Sequence, residues 1–168
     1  FYSIAGISAA ATLFLVYSVA AIMLDSETKG PVHWHADFEV WACGRQLELV
    51  KASGFSSRVG PLLLHHHGDN RIHVEGVLRR RADASLGNFF AAIAPELGGR
   101  FTDDGIAVVL TDGTLASYHN GDPCPDGRPG SVKLLVNGNP EPLLNEYVIA
   151  PYADVPPGDV LKIVFDSS

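Results

Sequence analysis

The sequence predicts an α+β fold: a single N-terminal transmembrane helix followed by a β-dominated domain with one helix. Three observations predict it. The first 24 residues carry no charge. The remainder breaks into short strand-like segments punctuated by Gly, Pro and Asn. One stretch alone in that remainder, "DASLGNFFAAIAPEL", has the apolar spacing of a helix. The order of hairpin, strands, helix and late strands points to one mixed sheet, β-grasp-like or a small sandwich with a covering helix.

The opening "FYSIAGISAAATLFLVYSVAAIML" is long enough to span, since about 20 apolar residues cross a bilayer as a helix. A secretory signal would begin with basic residues and carry a shorter apolar core. The expected organisation is a transmembrane helix over 1–24, a linker over 25–31 and a domain over 32–168, with a buried core helix as the competing reading of the first segment. Gly6 with Ala10, and Ala5 with Ala9, lie one turn apart, and small residues so spaced let helix backbones approach closely in lipid. The expected partners are therefore the lipid bilayer and other membrane-protein subunits. The flank "DSETKG" has one Lys against two acids, unlike a cytoplasmic stop signal.

After the linker, "ADFEVWA" (36–42) alternates and, with "CGRQ" and "LELV", reads as a β-hairpin. Residues 51–60 read as a loop. "PLLL" and "RIHVEGVL" are strand candidates around the turn chemistry of "HHHGDN". In the helix, Asp83 or Ser85 is the cap, Leu86, Phe89, Phe90 and Ile93 form the apolar face, and Gly98 and Gly99 are the expected stop. "GIAVVLTDG", "SVKLLVNGNP", "NEYVIA" and "GDVLKIVFD" complete the set of strand segments.

A net charge of −7 and the lack of a basic stripe interleaved with aromatics exclude nucleic acid as a partner. The one dense basic run, Arg79–Arg81, suits a solvated loop or a phosphate or partner contact. The two cysteines, Cys43 and Cys124, are far apart, and Cys124 lies in the loop "NGDPCPDGRPG". One disulfide closing a long loop is expected of an exported domain, two free thiols being the alternative. With the acidic flank, this places the domain on the periplasmic or extracellular side of the cell membrane.

Six of the seven histidines fall between His33 and His73. Residues i and i+2 of a strand share a face, so His33 with His35, and His65 with His67, each present two imidazoles side by side. His73 returns to them across the "GDN" turn. Any one of these alone is ordinarily a half-exposed strand residue. Two His-x-His pairs together point to a metal site of His33, His35, His65, His67 and His73, because neutral imidazole is the commonest ligand for Zn and Cu. Asp37 and Glu75 are candidate ligands or orienting carboxylates. His66 is expected to point away, into solvent, and His119 to be a surface loop residue. Blue copper is excluded: neither Cys has the context, and the only Met, Met23, is in the apolar segment. No Cys-x-x-Cys-His haem motif occurs. The expected cofactor is Cu or Zn.

"HHHGD" is similar to the His-x-His-x-Asp core of metallo-β-lactamase-type hydrolases, but Asn70 stands where that family has His. A cupin likeness of "HHHGDNRIHVEG" fails on the Glu and Gly spacing. A broader resemblance covers most of the domain. "HWHADFEVWACGRQLEL", "LLLHHHGDNRIHVEG", "SLGNFFAAI" and "VKLLVNGN" together resemble a group of His-rich, membrane-anchored extracytoplasmic proteins of bacteria and archaea. The resemblance implies the same five-histidine site and supplies no reaction.

Three functions follow as expectations. The first is an accessory or binding subunit of a larger membrane assembly, such as an electron-transfer or photosynthetic complex. The second is a metal-dependent hydrolase or oxidase with Glu75 or Asp69 as base, although no nucleophile motif or phosphate loop supports it. The third is a filament subunit: mature type IV pilins also begin with Phe and an apolar helix, but carry Glu where this chain has Ala5. It takes Phe1 as a processed N-terminus.

Overall fold

The computed structural model describes residues 2–149 and 158–167. Phe1, Ala150 and Ser168, which touch the expected N-terminus, the last residue of "NEYVIA" and the domain end, lie outside the described residues.

The first element, α1 (Tyr2–Asp25), has a mean hydropathy of 2.2 over Ile4–Asp25, with no part of that stretch buried. It is apolar on all sides, with Ile4, Phe14, Tyr17 and Leu24 each at least 70% exposed. A core helix hides its apolar surface; this one hides none, so the core-helix reading is overturned. It is a helix able to serve as a membrane anchor or a signal sequence.

The expected linker is a tight, docked turn. Ser26 is fully buried and donates from N to Ile22 O and from Oγ to Met23 O. Thr28 Oγ1 accepts from Leu78 N. Arg79 reaches Asp25 (3.5 Å), Arg80 pairs with Asp83 (3.1 Å), and Arg81 N donates to the Glu27 carboxylate (2.7 Å). The Arg79 and Arg80 side chains thus meet carboxylates, and Arg81 is tied to Glu27 through its backbone.

Strands β1 (Pro31–Ala42), β2 (Arg45–Gln46), β3 (Leu64–His65), β4 (Arg71–Val77), β8 (Gly130–Val136), β9 (Asn139–Glu141) and β10 (Asp159–Ser167) form a mixed sheet, ordered β3-β4-β1-β10-β8-β9, with β2 beside β1. β1 and β10 run parallel at the centre, and β4 and β8 flank them antiparallel. A first antiparallel pair, a helix and a late pair whose last strand lies parallel to the first is the β-grasp order anticipated above. Between the halves, β5 (Arg100–Thr102), β6 (Gly105–Val109) and β7 (Leu115–His119) form a second, antiparallel sheet. Among the described residues the large mixed sheet dominates, as expected, with a small three-stranded sheet beside it. Neither "RFT" nor "LASYH" is apolar enough to have been read as a strand from pattern alone.

The core lies on one face of the large sheet. Period-two alternation sends Trp34, Ala36, Phe38 and Val40 of β1, Ile72 and Val74 of β4, and Leu161, Ile163 and Phe165 of β10 inward, all at most 4% exposed. Helix α2 (Leu86–Ile93) covers them with Leu86, Phe89, Phe90 and Ile93, the i, i+3, i+4, i+7 stripe. Phe38 meets the Phe89 and Phe90 rings at 5.4 and 6.2 Å. Burial of each such side chain stabilises by about 1.5–3 kcal/mol.

Several boundaries differ from expectation, each for a local reason. Ser85, not Asp83, caps α2, its oxygen accepting from Asn88 N. The helix ends at Ile93 rather than at Gly98–Gly99, because Ala94 precedes Pro95 and a residue before proline is pushed out of helical backbone; its φ is −149°. "LELV" does not continue the hairpin: after Leu47 N bonds Val40 O, the chain crosses to the second sheet, where Leu49 bridges Leu110. The described part of "NEYVIA" is a 3-10 turn (Leu144–Glu146) and a single bridge from Val148 to Ser85, not a strand.

The cysteines are joined. Cys43–Cys124, with Cα atoms 5.5 Å apart, ties the end of β1 to the loop before β8 across 81 residues. Closing so long a loop stabilises by on the order of 4 kcal/mol.

Candidate metal centre

The histidines of β1, β3 and β4 occupy the face of the sheet opposite α2. On β1 the residues between the core positions are His33, His35 and Asp37; on β4 they are Arg71, His73 and Glu75. Register completes the site. His35 pairs with His73, and His73 pairs with His65 on its other side. Three imidazoles thus stand in a row across β1, β4 and β3. His33 faces Glu75 one rung along. His67 follows β3 and joins from the turn, where Gly68 (φ +83°) and Asn70 (φ +58°) take the left-handed backbone that "HGDN" suits.

The five predicted ligands come together as two groups. His33, His35 and His73 have ligand nitrogens within 4.8 Å of one another, and so do His65, His67 and His73. The ring centroids of His35 and His67 lie 4.6 and 4.7 Å from that of His73. The histidines bury one another: His35 is 8% and His65 2% exposed on the face opposite α2, while His33 and His67 form its exposed rim.

Hydrogen bonding aims several rings. His65 Nδ1 lies 3.0 Å from Leu62 O, and His67 Nδ1 lies 2.5 Å from Ser57 O. A carbonyl only accepts, so each Nδ1 carries the proton and each Nε2 keeps its lone pair. That is the backbone-oriented tautomer typical of metal-binding histidines. His33 Nε2 lies 3.1 Å from Glu75 Oε1, which leaves the Nδ1 lone pair free by the same logic. Neither ring nitrogen of His35, nor either of His73, has a hydrogen-bond partner among the described residues. Carboxylates of Asp69 and Glu75 lie 3.8 Å from His73 Nε2 and Nδ1, beyond hydrogen-bond reach.

The electrostatics favour the neutral form at three of the rings, His35, His65 and His73. Burial pushes His73 down to about 4, and the adjacent His35 and His67 push the same way. Burial also lowers His35, assisted by His33, and lowers His65 against the pull of Glu75. A neutral His73 makes no true ion pair with Asp69 or Glu75. Neutral imidazole is the form that binds a metal.

Of the two carboxylates singled out from sequence, Glu75 lies against the histidines and Asp37 does not. Asp37 is held by Arg71 through a two-point contact of 2.6 and 3.1 Å. His66 does point away from its neighbours, but into the core and not into solvent. It is 1% exposed, with Phe38 and Phe89 ring centroids 6.0 and 6.1 Å away, and Nδ1 accepts from Gly68 N. Parity of "HHH" announces the opposite face; only the position of α2 says that face is the core. His119 ends β7, contacting Arg100 and Asp122, and belongs to neither group. The carbonyls of Leu62 and Ser57 leave no signal in sequence, because any residue type supplies one.

The arrangement can hold a divalent cation and can orient its ligands. No protein-family model, curated protein or solved structure matches the chain.

Proposed function

We propose that this protein is a membrane-anchored metal-binding subunit, its histidine face on the periplasmic or extracellular side, holding Cu or Zn. One observation carries the reading: all four ring nitrogens of His35 and His73 are buried and lack a hydrogen-bond partner among the described residues. A buried polar group left unpaired costs about 1–3 kcal/mol. Three neighbouring rings with lone pairs available make a cation the natural partner for those nitrogens. Imidazole sets suit Cu and Zn, and affinity favours copper. The disulfide supports an oxidising compartment. The apolar α1, with Ala5, Gly6, Ala9 and Ala10 exposed, is the surface on which other membrane subunits of a larger assembly, such as an electron-transfer complex, would pack.

The test is metal analysis of the full chain purified from its native membrane in mild detergent. Bound Cu or Zn that is lost when His35 and His73 are replaced by Ala supports the reading. Metal-free protein that also fails to take up added Cu(II) or Zn(II) overturns it. A lone monomer without co-purifying subunits removes the assembly.

A further inference from the structure

His73 belongs to both histidine groups, and His35 and His65 pair with it from the strands on its two sides. We propose that the site holds two divalent ions of the Cu or Zn class bridged by the His73 ring, one bound by His33, His35 and His73 and the other by His65, His67 and His73. This rests on the metal-binding reading above and adds to it the number of ions and the bridging ligand.

Register supports two ions over one. His35 and His65 flank His73 on neighbouring strands, so their backbones are two strand spacings, about 9.5 Å, apart with the His73 ring between them. Nitrogens bound to one ion at about 2.0–2.1 Å lie within about 4 Å of each other. Each trio meets nearly that condition, with nitrogens within 4.8 Å, whereas no larger histidine group does so among the described residues.

The two nitrogens of His73 face different surroundings. Nδ1 is on the side of Glu75, which also contacts His33; Nε2 is on the side of Asp69, whose Oδ1 accepts from His67 N. Both nitrogens are buried and unpartnered. A hydrogen-bonded histidine normally spends one nitrogen on a fixed partner, as His65 and His67 do here. His73 spends neither. Each trio therefore has one His73 nitrogen, two further imidazoles and one carboxylate alongside. On taking the second ion, the neutral ring releases its single N–H proton to water, and the resulting imidazolate carries one lone pair to each metal. Two carboxylates and one imidazolate offset three of the four added positive charges.

The experiment is Cu(II) titration of the metal-stripped full chain in detergent, read by bound-metal analysis and by electron paramagnetic resonance. Wild type should bind two equivalents per chain. Two imidazolate-bridged Cu(II) spins couple antiferromagnetically, so the integrated signal should fall well below two spins. The H33A/H35A and H65A/H67A pairs should each keep one equivalent and give a full one-spin signal. Circular dichroism checks that both pairs remain folded, and their positions on the face opposite α2 leave the core intact. One equivalent in wild type, abolished in both pairs, means a single shared ion and overturns the proposal while leaving the metal reading standing. Two equivalents with an undiminished two-spin signal overturn the bridge. No binding at all overturns both.

Discussion

His66 and His73 sit on opposite faces of one sheet, and burial pushes both down to about 4. Their surroundings are otherwise unlike. His66 is packed between Phe38 and Phe89, with a backbone amide on Nδ1. His73 is packed between four other histidines, with both nitrogens unspent. A depressed pKa therefore does not by itself mark a ligand. The distinguishing feature is the company: His66, which also keeps one buried unpartnered nitrogen, Nε2, has two phenyl rings and one backbone amide around it, while on the opposite face the neighbouring imidazoles bring their ring nitrogens within 4.8 Å of one another.

The comparison breaks most visibly at Phe38, which carries the α2 face. Phe38→Ala should cost about 3–5 kcal/mol of unfolding free energy in urea, with the metal stoichiometry of the folded fraction unchanged. A variant that loses its metal while staying folded would mean that the two faces are not separable.

The next effect is on acid stability of the metal-free protein. His66 titrates near 6.5 when unfolded and near 4 when folded. The unfolded chain therefore binds the proton first. The contribution of neutral His66 is complete above pH 6.5 and is lost as pH falls from 6.5 to 4, by about 3 kcal/mol in all. Chemical unfolding measured across that window should show a shallower pH slope in His66→Phe than in wild type. An unchanged slope would mean that His66 is not held neutral by the core. His73 contributes in the same direction, so the slope should be reduced and not abolished.

The smallest effect is expected at the Asp37–Arg71 pair, which shares the histidine face but is 28–35% exposed. Arg71→Met should change stability by less than about 1 kcal/mol and leave metal binding in place. Loss of metal in this variant would assign the pair a role in the site that its contacts do not show.

Much of this was legible from residue order. Uncharged apolar length predicts α1, because lipid-crossing helices need little more than that. The i, i+3, i+4, i+7 stripe predicts α2, and parity predicts which histidines share a face. Where reading failed, the deciding contact was distant. Gly98–Gly99 are good helix stops, yet the steric effect of Pro95 acts first. "LELV" alternates like a hairpin strand, yet Leu110 outcompetes β1 for it. "NEYVIA" has strand propensity, yet among its described residues the one bridge, from Val148, goes to Ser85 at the start of α2.

The sequence by itself determined the elements: an apolar N-terminal span, a helix with one oily stripe, His-x-His pairs on period-two segments and two cysteines. Those are properties of neighbouring residues, carried by propensity and periodicity. Tertiary structure alone decided that β1, β4 and β3 are adjacent, that His35, His73 and His65 share a rung, and that α2 covers the His66 face. Strand register and sheet order are pairings between segments tens of residues apart, and a slip of one residue would have turned the imidazoles to the other side.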